Sequence, residues 1–115
     1  MQAAAKRTHE QRRDLLLALD ATYDRESVDR AMRGELWVGM PAGLLEVVYG
    51  VPADIVESGK VSGVSRSLRF APINARSFRL VVETRTGAVT SWTDHGRPMP
   101  APFDADAARA PYPWG

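Results

Sequence analysis

Apolar residues follow a helical spacing in the first half of this chain and a two-residue alternation in much of the second half. Residues 3–21 contain neither Gly nor Pro and are rich in Ala, Arg, Gln and Leu, which are good helix formers. Leu15, Leu16 and Leu19 form one apolar stripe along this stretch. The pattern predicts a first, amphipathic helix over residues 3–21.

Two shorter helices are predicted next. One begins after Asp24, whose carboxylate can cap free backbone amides of the first turn, and ends at Gly34, which suits the left-handed residue after a helix. The other runs from Pro41 to Tyr49, because Pro is favourable at the first helical position. It is apolar around most of its circumference, so we expect it to be the most buried helix.

Extended structure is predicted after residue 52. Residues 76–84 form the clearest strand, because Phe78 and Val82 fall on one side of it while Arg79 and Glu83 fall on the other. The other predicted strands are residues 53–57, followed by a turn at 58–60, a stretch within 61–70, and residues 88–93. The predicted fold class is α+β, with N-terminal helices followed by a three- or four-stranded antiparallel β-meander.

The chain ends in a proline-rich tail. Five of its eight prolines lie after residue 96, where no apolar periodicity is visible, which predicts irregular structure. The expected organisation is therefore a helix over residues 1–22, an α+β domain over 23–96 and a tail over 97–115. Tyr112 and Trp114 near the end can anchor the tail on a partner or on the chain's own sheet; a disordered end is the alternative.

Composition narrows the classes of function. The 115 residues correspond to one ordinary domain, and the net charge of +1 supports no global argument for nucleic acid or membrane. The absence of cysteine excludes disulfides, thiolate metal sites and a cysteine nucleophile. The longest early apolar run, residues 15–19, is too short for a secretion signal or a membrane span, so we expect a cytoplasmic protein.

No catalytic pattern emerges from the residues. The two histidines, His9 and His95, have no serine motif beside them, and Asp94 and His95 point apart in an extended chain. The closely spaced aspartates lack the further ligands of a metal site, and no glycine-rich phosphate loop is present. We therefore expect neither enzymatic activity nor a cofactor nor a metal.

A cluster of arginines is the most distinctive electrostatic feature. Residues 66–85 contain five arginines and one acid, Glu83, and strand alternation places Arg69 and Arg79 opposite the apolar set. That side of the sheet can bind an acidic partner or an anion, or can simply be a solvated face. Trp92, near the end of the last strand, is the aromatic residue we add to this surface, since Trp often anchors interfaces.

The order of these segments resembles a known family. The stretch Gly34–Pro41, the apolar helix closed by Gly50-Val51-Pro52 and the hairpin around Gly87 are similar to the SmpA/OmlA (BamE-like) family of small α+β domains, over residues 28–92. Members of that family, and the similar repeats of beta-lactamase-inhibitor protein, bind other proteins as scaffolds. The chain departs from the family in lacking the lipidated cysteine that follows a signal peptide.

The resemblance implies a non-enzymatic protein–protein interaction module. A nucleic-acid-binding or regulatory protein that uses the arginine-rich face is the alternative, and a homodimer through the first helix also stays open. The residues expected to contact a partner are Arg69, Arg79, Glu83, Trp92, Tyr112 and Trp114.

Overall fold

The structure, a computed structural model, describes residues 2–60, 63–97 and 103–112. Its helices are α1 (Gln2–Thr22), α2 (Arg25–Met32), α3 (Ala42–Tyr49) and α4 (Ala105–Arg109). Its strands are β1 (Asp54–Lys60), β2 (Gly63–Asn74), β3 (Ser77–Arg85) and β4 (Ala88–Asp94). The predicted α+β class is confirmed, with helices first and a four-stranded antiparallel sheet after them.

The backbone forms two compact units. The first contains Met1–Arg33 and Ala101–Gly115, and the second contains Gly34–Pro100. The helix α2 thus belongs with α1 and not with the strands. In the described part of the chain, no helix has both the length and the apolar character that a membrane span requires.

In the first unit, α1 covers the predicted range almost residue for residue. Leu16 and Leu19 are buried, but Leu15 is 40% exposed and Leu17 is 48% exposed, so the buried stripe is narrower than predicted. Two leucines of this helix therefore remain available to solvent.

The helix α2 is closed at both ends as predicted. The Asp24 carboxylate accepts hydrogen bonds from the backbone N–H of Ser27 at 2.9 Å and from its hydroxyl at 2.8 Å. These bonds hold the pKa of Asp24 below its usual value. Gly34 follows the helix with a φ of 79°, in the left-handed region expected for the residue after a helix.

The prediction of an irregular tail is wrong for α4. The Asp104 side chain accepts from the backbone N–H groups of Asp106 and Ala107, at 3.0 and 3.3 Å, and so caps this short helix. Its Ala108 is buried, and α4 packs against α1. A helix of five residues is not stable alone, and its tertiary contacts with α1 hold it in place.

In the second unit, α3 begins one residue later than predicted. Pro41 has a ψ of 129° and acts as the N-cap, since it forms an isolated antiparallel bridge with Ala88 and must therefore be extended. Leu44 and Leu45 are fully buried. Gly50 ends the helix with a φ of 80°.

The sheet has the order β1-β2-β3-β4. The strand β1 continues through the predicted turn at 58–60, because these residues pair with residues 63–65 of β2. The core side of the sheet is formed by Leu68 and Phe70 of β2 and by Leu80 and Val82 of β3, all of them buried. Alternation along β3 is therefore as the sequence predicted over residues 79–83.

Candidate functional site

One side of the sheet carries three of the residues predicted to contact a partner. In the register, Arg69 lies opposite Val81 and Ser67 lies opposite Glu83. Because residues two apart share a side of a strand, Arg79 joins them. We call this side, with Ser67, Arg69, Arg79, Val81 and Glu83, the outer face. The prediction that Arg69, Arg79 and Glu83 share a side opposite the core is confirmed.

The charges of the outer face are partly paired within the sheet. Arg69 Nη1 lies 3.2 Å from Asp54 Oδ2 on the neighbouring strand β1, and the Ser67 hydroxyl donates to Glu83 Oε1 at 3.0 Å. The side chains of Arg69 and Asp54 are 36% and 48% exposed, so this ion pair contributes at most about 1 kcal/mol to stability. Its main effect is to orient the guanidinium group.

A groove of about 470 Å³ opens on this side of the sheet. The Arg69 guanidinium carbon lies 5.7 Å from the centre of the Phe78 ring, which is half-buried and not in the core as its alternation suggested. The strand β2 is irregular here, with a φ of 52° at Ala71 and a register shift after Pro72. The groove combines apolar side chains with charged ones of both signs, among them Ile73, Val81, Arg76 and Glu83.

The five arginines do not form one patch. Arg66 pairs with Thr84 in the register and so lies on the core side of the sheet, where its guanidinium contacts Glu57 at 3.4 Å. Arg85 lies opposite Ser65, on the same side as Ser67. Arg66 is thus the one of the five on the core side, while the other four lie on the outer side or line its groove, and the paired acids Asp54 and Glu57 offset part of the positive charge.

The placement of Trp92 on the outer face is wrong. Trp92 lies opposite Val82 in the register and therefore shares the core side, with 37% of its surface exposed. The register shifts by one residue between Glu83 and Thr84, which leaves Thr90 as an extra residue in β4. The Thr90 hydroxyl donates to the carbonyl of Glu83 at 3.2 Å. This bulge reverses the alternation between Val89 and Trp92, so that residues three apart face the same way.

Of the two tail residues predicted to bind a partner, the structure describes Tyr112. Tyr112 belongs to the first unit, where its ring meets that of His9 edge-on with centres 5.4 Å apart. Trp114 lies outside the described residues. Tyr112 is therefore not part of the sheet unit, and the prediction that Tyr112 and Trp114 bind a partner stays a separate one.

Asp94 and Tyr49 make contacts within the protein that shift their pKa values. The Asp94 carboxylate accepts hydrogen bonds from the backbone N–H groups of Gly96 and Arg97 at 2.9 Å each; the bond from Arg97 contributes most to the lowering of the Asp94 pKa. Tyr49 packs its ring 5.8 Å from that of Phe70, and burial raises the pKa of its hydroxyl. Among residues 2–60, 63–97 and 103–112, no three acids or histidines converge as metal ligands would.

Sequence reasoning missed the neighbours that complete the outer face. The sequence predicts Asp54 within a strand but gives it no partner, and the alternation of β3 predicts Phe78 on the side of Val82, away from Arg79. Asp54 lies in the predicted strand that precedes the strand of Arg69, which indicates that the two strands can pair. Strand alternation alone does not give the register that places Asp54 opposite Arg69.

Comparisons of the chain with protein-family models, with curated proteins and with solved structures gave no match. The relationship to the SmpA/OmlA family and the cytoplasmic location therefore stay predictions from the sequence.

Proposed function

We propose that this chain is a non-enzymatic protein-interaction module of the SmpA/OmlA type and that the outer face contacts the partner protein. The observation that supports this most is the composition of the outer face. Half-buried Val81 of the outer face and half-buried Phe78 of the adjoining groove lie among charged side chains such as Arg69, Arg76 and Glu83. An apolar centre with a charged and polar rim is the usual arrangement of a protein–protein interface, in which arginine is enriched.

The orientation of Arg69 adds to this proposal. The guanidinium is held between the Asp54 carboxylate and the Phe78 ring. An arginine fixed in this way loses less conformational freedom on binding than a solvated one, which favours affinity. Glu83, held by Ser67, is the matching acceptor for a basic group of the partner.

Nucleic-acid binding, through the same arginines, is the second class of function. Two observations count against it. Arg66 lies on the other side of the sheet from Arg69, and both arginines already contact a carboxylate. A surface for a polyanion requires several unneutralised cations on one side, whereas the outer face carries both signs of charge.

Photo-crosslinking tests the proposal. A benzophenone amino acid is placed at Val81 on the outer face or at Val51, an exposed residue outside the sheet, as the control. The proposal is supported if, in a native lysate, one protein crosslinks to the probe at position 81 and does not crosslink to the probe at position 51. Recovery of nucleic acid alone, lost as the salt concentration rises, favours the alternative class.

Two charge-reversal variants, tested with the purified partner, then measure how much the outer face contributes to the binding affinity. Arg69→Glu should weaken binding by roughly tenfold or more, as expected for an interface hot spot. Arg66→Glu is the matched control, because Arg66 is an ion-paired arginine of the same strand on the opposite side. Equal effects of the two substitutions would contradict the outer face as the contact surface.

Exchanging the charges of Asp54 and Arg69 provides a control for the loss of the ion pair between them. The double variant Asp54→Arg/Arg69→Asp keeps an ion pair between β1 and β2 but moves the positive charge to the neighbouring strand. If the partner recognises the cation at position 69, this variant also binds weakly while its unfolding free energy stays close to that of the wild type.

A further inference from the structure

A second concave surface lies in the first unit, between α1 and the segment that contains α4. It has a volume of about 790 Å³, within the size range of small-molecule sites. Small and aromatic side chains form most of its lining, among them Ala4, Ala5, Thr8, Ala107, Phe103 and Tyr112. An apolar lining of this kind suits the hydrocarbon part of a ligand.

The groove is held in shape by Arg109. Its guanidinium contacts Asp20 through two hydrogen bonds of 2.8 and 2.9 Å and lies 2.7 Å from Asp29 on α2. The Arg13 side chain donates to the carbonyl of Arg109 at 3.1 Å. Both ends of α4 are thus fixed, one by its cap and one by these contacts, so the groove exists before a ligand binds.

The wall after α4 is also attached to α1. His9 Nε2 lies 2.6 Å from the carbonyl oxygen of Ala110, and the ring of His9 packs edge-on against Tyr112. The His9 side chain is therefore already engaged in contacts within the protein, with the Ala110 carbonyl and the Tyr112 ring. The polar group that a ligand would meet has to come from another residue.

That residue is Arg12. Its guanidinium carbon lies 4.6 Å from the centre of the Phe103 ring, and the side chain is half-buried. It forms no ion pair within the described residues. Asp104, the acid that lines the groove, is engaged in capping α4. Arg12 is thus a positioned cation at an apolar groove without an anionic partner among the described residues.

We propose that this groove binds a small carboxylic acid with an apolar body, whose carboxylate pairs with Arg12. A planar guanidinium group matches a carboxylate with two parallel hydrogen bonds. The groove residues of α1 extend from Ala4 to Arg12, a rise of about 12 Å along the helix. This length favours a medium-chain or aromatic acid that lies along α1, and the proposal is independent of the outer face of the sheet.

Binding of decanoate to the full chain tests the proposal, with decanamide as the uncharged molecule of the same shape. Titration calorimetry gives the affinities, and backbone amide shifts in NMR spectra locate the site. We expect decanoate to shift the amides of Ala5, Thr8 and Ala107 and to bind roughly tenfold more tightly than decanamide, since a charge-assisted bidentate pair is stronger than a neutral contact.

Substitutions separate the contribution of the Arg12 charge to decanoate affinity from that of the apolar groove. Arg12→Gln should reduce decanoate affinity to that of decanamide, and Arg12→Lys should retain part of the difference. Arg7→Gln is the matched control, because Arg7 is an exposed arginine of the same helix outside the groove lining. Ala5→Trp should block both ligands by filling the groove while keeping a helix-compatible residue.

Three results would overturn the proposal. They are the absence of decanoate binding at millimolar concentration, equal affinity for decanoate and decanamide, and an unchanged decanoate affinity in Arg12→Gln. A concentration-dependent dimer that shifts the same amides without ligand would assign the groove to a second copy of the chain instead.

Discussion

Arg109 and Asp20 are joined by two parallel hydrogen bonds, from Nε to Oδ2 at 2.8 Å and from Nη2 to Oδ1 at 2.9 Å, across 89 positions of sequence. The arginine side chain is only 8% exposed. Asp29 of α2 contacts the same guanidinium at 2.7 Å, so one cation links α4 to both of the first two helices. The position of α4 therefore depends in large part on this group.

Replacing Arg109 by Met should lower the free energy of unfolding by about 3 kcal/mol, because it leaves two carboxylates without their partner in a largely enclosed site. Arg25→Met is the control: Arg25 and Asp106 form an exposed ion pair, with side chains 61% and 74% exposed, and its loss should cost below about 1 kcal/mol. Urea unfolding measures both values. Similar losses for the two variants would show that Arg109 is no more important than a surface residue.

Acid should weaken the same contact. The hydrogen bond from Arg109 is the largest cause that holds the pKa of Asp20 below its ordinary value of 3.8. Because the folded pKa is lower than the unfolded one, the stabilisation is fully present above the unfolded pKa and is lost as the pH falls through the folded pKa. The expected result is a decline in unfolding free energy below about pH 4.

The variant Asp20→Asn should show a shallower decline over this pH range. Some slope should persist, since Asp24 and Asp94 also have lowered pKa values that arise from backbone hydrogen bonds. Denaturant unfolding of both proteins at a series of pH values is the measurement. A decline as steep as that of the wild type would exclude Asp20 as a contributor.

Sequence reasoning succeeded where structure is determined locally. The cap at Asp24, the left-handed Gly34 and the alternation of β3 over residues 79–83 depend on residues within a few positions of one another, and all three are confirmed. The shared side of Arg69 and Arg79 follows from the same alternation. These features need no knowledge of the partner strand.

Predictions from the sequence were wrong where contacts between residues distant in sequence determine the local structure. The side of Trp92 depends on the bulge at Thr90, which exists only in the pairing of β4 with β3. The helix α4 depends on Arg109 and its partners on α1 and α2. A local signal for α4 was present, since Asp104 precedes a run of good helix formers, but five residues are too few for periodicity to appear.

The corrected position of Trp92 gives a prediction about stability. Trp92→Ala should lower the unfolding free energy by about 1–2 kcal/mol, less than the cost of truncating a fully buried Trp because 37% of it is exposed. Thr93→Ala, one residue on and opposite Val81 on the outer face, should change it by less than about 0.5 kcal/mol. Thermal or urea unfolding compares the two.

The variant Trp92→Ala also tests which side of the sheet binds the partner. If the outer face contacts the partner, Trp92→Ala should leave the affinity nearly unchanged, because the indole lies on the other side of the sheet from Arg69. A large loss of affinity in Trp92→Ala with normal stability would restore Trp92 as a contact residue and would place the interface at the edge of the core side.

Two glycines of the β1–β2 hairpin should respond in opposite directions to the same substitution. At Gly63, a Cβ atom would lie 2.6 Å from the Thr86 hydroxyl oxygen, and φ is 132°. Gly63→Ala should therefore cost about 1–3 kcal/mol of unfolding free energy. At Gly59, a Cβ would meet no atom within 4 Å, so Gly59→Ala should be neutral or stabilise the fold by up to about 1 kcal/mol.

The double variant Gly63→Ala/Thr86→Ala separates the two contributions at Gly63. Removing the hydroxyl relieves the short contact but leaves the unfavourable φ, so only part of the loss should be recovered, as judged by urea unfolding against Thr86→Ala alone. Full recovery would mean that the contact causes the whole effect. No recovery would assign the loss of stability to the φ of 132°, which residues that carry a Cβ atom rarely adopt.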